Sequence, residues 1–186
     1  MNMRDATIDD AQGILDIMDY YMKNTAVHFS CTAPETEEFK KTMNRIIGRY
    51  PFFVLEEEGG IKGFAYAKHF SDVPAYDWSC ELTIYIKEDS KGKGLGKKLY
   101  NAIENVLKRM GIKNLYAYIA YIEGEDEYLD NTSMKFHEKM GFETTAKFSK
   151  CGYKFERWYD VIWMEKIISS HETHPEKITS YKDIGD

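Results

Sequence analysis

A glycine-rich stretch, Lys91-Gly92-Lys93-Gly94-Leu95-Gly96, has the residue types and spacing of an anion-binding turn. It lies between a segment with strand alternation and a segment with helical periodicity. Glycines at such a junction let backbone N–H groups approach an anion, and the start of the helix adds a favourable dipole. Lys97 and Lys98 extend the positive charge. The stretch indicates a pyrophosphate site, and a purely structural turn is the alternative that it leaves open.

Two common phosphate-binding motifs do not fit this spacing. A P-loop requires GxxxxGK[ST]; counting back from Gly96-Lys97 puts Lys91 at the first glycine position and Lys98 at the hydroxyl position. A Rossmann fingerprint requires GxGxxG, but Lys97 occupies its third glycine position, and no acidic residue follows near Leu115 to bind a ribose. The spacing therefore favours neither a nucleoside triphosphate nor a dinucleotide.

The spacing resembles instead the acetyl-CoA loop of GNAT (Gcn5-related) N-acetyltransferases, [QR]-x-x-G-x-[GA], with Lys91 in place of Gln or Arg. Other blocks resemble the phosphinothricin N-acetyltransferase branch of that family. They occur in the same order across residues 3–166: Arg49-Tyr50-Pro51, Phe64-Ala65-Tyr66-Ala67, Ala75-Tyr76-Asp77-Trp78, Glu81, Thr83-Ile84-Tyr85-Ile86, Phe136-His137-Glu138-Lys139-Met140-Gly141-Phe142, Gly152-Tyr153-Lys154, Trp158 and Asp160.

The resemblance implies a fold and a cosubstrate. The fold is the acyl-CoA N-acyltransferase fold, a mixed α/β (α+β) domain with a central, mostly antiparallel twisted sheet and about four helices. The cosubstrate is acetyl-CoA, with no metal. In the family an Asn before the helix that ends near Gly141 contacts acetyl-CoA, and either Asp130 or Asn131 fills that position here. The remaining cofactor-binding positions carried over are Ile84, Tyr85, Ile86, Lys91, Gly92, Lys93, Gly94, Leu95, Gly96 and Lys97.

Glu81 stands at the position of the family's catalytic base. A primary amine is mostly protonated at neutral pH, so it must lose a proton before or during its attack on the thioester carbonyl. Strand alternation puts Glu81 on the face opposite Leu82 and Ile84, where it can accept that proton directly or through water. We expect a backbone N–H of Tyr85 or Ile86 to stabilise the developing oxyanion. A solvated strand face is the alternative for this glutamate.

His137 and Cys80 are two further candidates for chemistry. His137 stands where many GNAT enzymes have a Tyr that protonates the departing thiolate, and the phosphinothricin branch commonly has His; a packing or capping histidine is the alternative. Cys80 precedes Glu81 and raises the possibility of an acyl-enzyme intermediate. Strand alternation turns Cys80 away from Glu81, which favours a buried structural cysteine.

The acceptor pocket has candidates among the aromatic residues, namely Phe29, Tyr66, Tyr76 and Trp78, with core packing as the alternative for each. Between Phe70 and Tyr76 the herbicide-resistance enzymes carry basic residues suited to an anionic amino acid. This chain has Ser71-Asp72-Val73-Pro74 there, which weakens the case for phosphinothricin itself. We expect a small primary amine, an amino acid or an analogue of the phosphinothricin or methionine sulfoximine type.

Hydrophobic periodicity predicts the elements that must position these residues. The order is a strand, two helices, three strands, a helix, a strand, a helix and two strands, which implies a mixed sheet and not a doubly wound parallel one. In the third helix the predicted apolar face is Leu95, Leu99, Ala102, Val106 and Met110. The expected strands are residues 3–6, 52–55, 61–70, 81–86, 115–121, 142–148 and 155–164. The first expected helix begins at Thr7, and the other three cover residues 36–48, 95–110 and 131–140.

Length and composition set the remaining expectations. The 186 residues suit one domain, residues 1–168, followed by a polar tail, residues 169–186. A net charge of −6 argues against nonspecific nucleic-acid or anionic-membrane partners, and no apolar run approaches the length of ~20 residues that spans a bilayer. Three scattered cysteines without a CxxC pair favour a reducing, cytoplasmic setting. His171 and His174 lack the companion ligands of a metal site.

Two function classes remain open after these observations. One is a small-molecule N-acetyltransferase, which the presence of Glu81 favours. The other is a GNAT-fold acyl-CoA-binding sensor or interaction module without efficient catalysis. The aromatic residues Tyr153 and Trp158 suit a surface that a second copy covers, so we also expect a homodimer. Their packing inside one subunit is the alternative.

Overall fold

A single twisted sheet organises residues 1–184, the part of the chain that the computed structural model describes. Its seven strands lie in the order β1-β2-β3-β4-β5-β7-β6, and every neighbouring pair is antiparallel except β4 with β5. This confirms the predicted fold class and element order. The bounds are β1 Asn2–Asp5, α1 Ala11–Asn24, α2 Thr36–Ile46, β2 Phe52–Glu57, β3 Gly60–His69, β4 Ser79–Ile86, α3 Leu95–Met110, β5 Asn114–Tyr121, α4 Thr132–Lys139, β6 Glu143–Lys154 and β7 Arg157–Ile167.

The two faces of β4 carry different helices. Ile84 points to the face of α3, where it lies beside Gly96. Tyr85 points to the opposite face and meets Tyr21 of α1, with ring centroids 5.1 Å apart. Helix α4 packs beside α3, since the rings of Tyr100 and Phe136 are 5.9 Å apart. The core therefore fills both sides of the central strands.

Helix α3 begins and ends at glycines with left-handed backbone conformations. Gly94 precedes its first turn with φ of 75°, and Gly111 ends it with φ of 91°, as predicted. The predicted apolar face was partly wrong, because Ala102 and Val106 are only half-buried. Tyr100, Ile103 and Leu107 are buried instead, together with Leu95, Leu99 and Met110.

Strands β4 and β5 separate soon after they meet. Their parallel pairing covers only three positions, Ser79 with Asn114, Cys80 with Leu115 and Glu81 with Tyr116. Beyond that point β4 continues along β3, while β5 continues along β7. The facing edges of residues 82–86 and 117–121 therefore diverge and open a wedge in the sheet, which we call the β4–β5 wedge.

The chain after α4 departs from the predicted strands. Strand β6 extends to Lys154 through two register shifts, beyond the predicted end at residue 148. Phe155 and Glu156, both with positive φ, form the turn into β7, so the prediction of Phe155 as a strand residue was wrong.

The segment that follows β7 lies against the domain. The Thr179 N–H donates to the Met110 carbonyl at 2.9 Å, and the Tyr181 hydroxyl donates to the Asp5 carboxylate at 2.7 Å. Ile178, Tyr181 and Ile184 pack against the core. Of the helices among residues 1–184, none has the length and apolar character needed to cross a membrane.

Candidate active site

A cavity of 430 Å³ occupies the β4–β5 wedge. Because the two strands diverge there, the cavity passes between the faces of the sheet and collects side chains from both. Its walls come from the loop after α1, from β3, β4 and β5, and from α4. Polar and aromatic side chains from all of these elements line it, among them His28, Phe29, Ser30, Tyr66, Lys68, Glu81, Ser133 and His137.

Glu81 lies at the closed end of the wedge, at the last position where β4 pairs with β5. Its side chain is 22% exposed and lines the cavity. Lys68, its partner in the β3–β4 register, places Nζ 3.0 Å from Glu81 Oε1. The cavity therefore contains a carboxylate and an ammonium side by side.

Cys80 points away from this pair. Its side chain is fully buried in the core, and burial raises the pKa of its thiol. A thiol held neutral in the core is a poor nucleophile. The prediction of a buried structural cysteine is confirmed.

His137 is buried in the cavity wall against Tyr100, Phe136 and Phe142. Its Nδ1–H donates to the Ser133 carbonyl at 2.8 Å. Burial lowers the pKa of the imidazole, which favours its neutral form. In that form Nε2 is an acceptor, so proton donation to a leaving thiolate requires prior protonation. The catalytic role of His137 stays a prediction.

The glycine loop lies between β4 and α3, at the wider end of the wedge. Gly92 and Gly94 both have φ of 75°, and no atom lies within 4 Å of a Cβ built on either. The first intrahelical bond of α3 runs from the Lys98 N–H to the Gly94 carbonyl, so the three preceding N–H groups, of Leu95, Gly96 and Lys97, lie before that ladder. This arrangement fits a pyrophosphate.

The lysines of the glycine loop differ in whether their ammonium groups already contact other residues of the protein. Lys91 forms an ion pair with Glu88 at 2.5 Å and lies 5.0 Å from the centre of the Tyr21 ring, so its charge is used within the protein. Lys93 and Lys97 are exposed beside the glycines. Of the lysines predicted for the cofactor, these two remain the better placed.

Asn131 carries an unsatisfied oxygen at the start of α4. Its Nδ2 donates to the Ile122 carbonyl at 2.9 Å, while its buried Oδ1 has no hydrogen-bond partner. Asp130 is exposed and accepts from the Thr132 N–H at 3.0 Å. An unpartnered buried amide oxygen costs about 1–3 kcal/mol. Between the two residues that the sequence left open, Asn131 is the one that offers an acceptor to a ligand.

The four predicted aromatic residues do not share one pocket. Phe29 and Tyr66 line the cavity. Tyr76 is 45% exposed, and its ring lies 5.5 Å from that of Phe70 at a tilted angle of 56°. The Trp78 indole N–H donates to the Glu176 carbonyl at 2.8 Å. The grouping of Tyr76 and Trp78 with the others needs correction, because both precede β4 and lie beyond the closed end of the wedge.

Three residues at or behind the cavity, Lys68, His28 and Lys154, were not predicted as site residues from the sequence. The β3–β4 register pairs Lys68 with Glu81, so a cross-strand pairing of the two segments would have found it. His28 lies in an irregular loop that gives no periodic signal. Lys154 is a buried strand lysine whose ammonium donates to backbone carbonyls of this loop and of the end of α1, and these partners are distant in sequence. Within the described chain, no three His, Cys, Asp or Glu side chains group as metal ligands.

Comparison with known proteins gives consistent matches along the chain. The family model described as an acetyltransferase (GNAT) domain matches residues 3–163. A phosphinothricin N-acetyltransferase of Streptomyces viridochromogenes is 32% identical over 162 residues, covering 87% of this chain and 84% of that protein. An L-methionine sulfoximine/L-methionine sulfone acetyltransferase of Salmonella typhimurium is 27% identical, covering 92% and 96%.

A solved structure also matches over almost its whole length. It is a phosphinothricin acetyltransferase of the GNAT superfamily from Sinorhizobium meliloti, determined in complex with acetyl-CoA. The TM-score is 0.83 at 27% sequence identity, and the match covers 97% of each chain.

Proposed function

Since this chain belongs to the GNAT family of acetyltransferases, we propose that it transfers the acetyl group of acetyl-CoA to the primary amine of a small amino acid or amino-acid analogue. The observation that carries the choice of acceptor is the Glu81–Lys68 pair in the cavity. The Streptomyces phosphinothricin N-acetyltransferase and the Salmonella methionine sulfoximine/sulfone acetyltransferase, both relatives of this chain, support the same substrate class.

Acetyl-CoA would supply the acetyl group as a thioester. The glycine loop and the start of α3 offer backbone N–H groups to its pyrophosphate. The open edges of β4 and β5 offer backbone groups along the wedge, and Asn131 offers its free Oδ1. The acetyl-CoA complex of the Sinorhizobium protein supports this cosubstrate.

The Glu81–Lys68 pair suits a zwitterion. An amino acid presents an ammonium group and a carboxylate on neighbouring atoms, so its two charges can face Glu81 and Lys68 with opposite sign. Binding in this way replaces one ion pair by two, and it puts the amine against the carboxylate that must receive its proton. Glu81 then acts as general base when the amine attacks.

Stabilisation of the oxyanion falls to a backbone N–H of Tyr85 or Ile86 in this proposal. The Tyr21 hydroxyl donates to the Ile86 carbonyl at 2.5 Å, which ties this end of β4 to α1 and limits its movement. A donor held in a fixed place needs no reorganisation as charge develops on the carbonyl oxygen.

Cytoplasmic location belongs to the same proposal. Cys31 and Cys151 are exposed free thiols, and exposed thiols persist best in a reducing compartment.

The test is to incubate the purified protein with acetyl-CoA and each amine of a panel, and to measure turnover by the free CoA that is released. The panel contains methionine sulfoximine, methionine sulfone, phosphinothricin, other amino acids and polyamines. We expect turnover with at least one amino acid or analogue and little with polyamines. Acetyl-CoA binding without turnover of any amine would instead support a sensor or interaction module.

A further inference from the structure

We propose that Lys154 is a positioning residue that fixes the acceptor side of the cavity by holding the loop of residues 25–30, here called the cavity loop. The proposal rests on the proposed function, because it assigns that loop to the amine acceptor. Lys154 lies at the end of β6 and lines no part of the cavity itself. Its effect must therefore pass through the loop.

The ammonium of Lys154 is surrounded by backbone carbonyls. Its Nζ donates to the carbonyls of Met22 at 2.6 Å, Thr25 at 2.8 Å, His28 at 2.5 Å and Ser30 at 3.1 Å. The residue is only 4% exposed, and no carboxylate of residues 1–184 pairs with it. A buried cation is retained only where its hydrogen bonds are satisfied, and here all four hydrogen-bond acceptors belong to the end of α1 and the cavity loop.

Gly152 provides a second, independent contact for the same loop. It lies two residues before Lys154 and is buried like it. The Phe29 ring rests directly on the Gly152 backbone, so that a Cβ at this position would overlap the ring. Phe29 also packs near Tyr159 of β7, with ring centroids 6.2 Å apart. One strand end therefore holds the loop by a polar contact and a packing contact.

The residues held in this way are the ones that face the cavity. His28, Phe29 and Ser30 line it opposite the strands, and the His28 ring lies 6.5 Å from that of Tyr85. The loop has no regular secondary structure of its own. Loss of the ammonium would leave converging carbonyl dipoles without a donor, so the loop would move away from them and release Phe29 and His28 from the wall.

Lys154→Met tests this directly, because methionine has a similar length and no donor. We expect the KM for the amine to rise about tenfold or more, while the KM for acetyl-CoA and kcat change by no more than about twofold. Lys147→Met is the matched control: Lys147 lies on the same strand, is exposed and pairs with Asp160. The control should leave all three constants unchanged.

Chemical rescue separates positioning from general destabilisation. In Lys154→Ala, added ethylammonium or propylammonium should lower the raised KM for the amine part of the way to the wild-type value. Tetramethylammonium, which has no N–H donor, should not lower it. Gly152→Ala should give the same rise in amine KM without removing any charge. It also serves as the second variant if Lys154→Met does not fold.

Hydrogen exchange gives a readout that is independent of turnover. Amides of residues 25–30 should exchange faster in Lys154→Met and in Gly152→Ala, with β4 and α3 unaffected. If the wild type acetylates no amine, the proposed function fails, and the exchange experiment still tests the Lys154 contact. Unchanged exchange in the loop, or an equal rise in both KM values in folded variants, would overturn the inference.

Discussion

Glu81 is the residue on which the proposed chemistry depends most directly. Glu81→Gln keeps the size and hydrogen-bonding capacity of the side chain but removes the base. We expect kcat to fall by roughly 10²-fold, within the usual range for general-base catalysis, with acetyl-CoA affinity unchanged. Steady-state kinetics and calorimetric titration of acetyl-CoA measure the two effects. Rates close to wild type from about pH 6 to about pH 9 would contradict the assignment.

A Lys68 variant tests whether the acceptor is a zwitterionic amino acid or a simple amine. In Lys68→Met the contact with an acceptor carboxylate is lost, so we expect KM for an amino acid to rise by about tenfold, a loss typical of one charge-assisted hydrogen bond. The KM for the matched amine without a carboxylate should change little. The measurement compares methionine with its decarboxylated counterpart in both proteins. An equal change for the two acceptors would remove Lys68 from substrate recognition.

Gly94 tests the cofactor cradle. Its φ of 75° and the open space beside it mean that Gly94→Val both strains the backbone and puts side-chain bulk where the pyrophosphate is expected. We expect acetyl-CoA affinity to fall by about two orders of magnitude, as loss of several backbone contacts to a charged group implies.

The matched control is Gly59→Val. Gly59 has φ of 73° and equally open surroundings, but it lies in the β2–β3 turn, away from the cavity. It should cost stability without a loss of cofactor affinity. Equal acetyl-CoA affinities for the two folded variants would show that the glycine loop does not hold the cofactor.

At the scale of elements, the sequence predicts that α4 carries His137, but it does not predict that burial changes the pKa of this histidine. Burial lowers the pKa of His137 below its ordinary value of 6.5, and burial also lowers that of His28. The native state then binds fewer protons than the unfolded state. The stability that these groups contribute is present above pH 6.5 and is lost as the pH falls through their native pKa values.

We therefore expect the free energy of unfolding to decrease as the pH falls below 6.5, and to decrease less in His137→Asn, whose amide can still donate to the Ser133 carbonyl. Urea unfolding between about pH 8 and about pH 5 measures this. His174→Asn, at an exposed position in the tail, should follow the wild-type curve. Parallel curves for His137→Asn and wild type would contradict the assignment.

Element order was predictable because each element shows its own local pattern. Three such short-range features are present in the structure: glycines 59 and 60 at the β2–β3 turn, Gly111 at the end of α3, and the Thr7 N–H that donates to the Asp10 carboxylate before α1. The wedge was not visible from residues alone, because it depends on how two strands diverge after pairing. The sequence therefore does not reveal that Tyr76 and Trp78 lie before the first residue of β4, whereas the cavity opens towards the last residues of that strand.

Residues that act across long sequence distances were the least predictable. The partners of Lys154 lie 124 to 132 positions away, and no periodicity connects a strand lysine to carbonyls of a distant loop. Tyr100 lies outside the apolar face predicted for α3, although its ring is buried. Glu81 was identified through the family resemblance, since a strand glutamate by itself does not indicate a catalytic base.

At the scale of the whole molecule, the β6–β7 hairpin leaves aromatic surface uncovered. Tyr153 and Trp158 are each 58% exposed with ring centroids 5.0 Å apart, which argues against the alternative that they pack inside one subunit. Phe148 and Tyr118 add further exposed rings, at 47% and 51%. An exposed aromatic pair such as Tyr153 and Trp158 favours a partner, and a two-fold axis can cover it with its own copy.

We predict a homodimer of about twice 21.7 kDa in solution, measured by light scattering coupled to gel filtration at micromolar concentration. Trp158→Glu puts a charge into the proposed interface, so it should shift the protein to the monomer. Tyr20→Glu is the control, because Tyr20 is also exposed, at 38%, but lies on α1 and not on the hairpin. It should remain dimeric. A single 21.7 kDa species for the wild type would reject the dimer, and a dimeric Trp158→Glu would place the interface elsewhere.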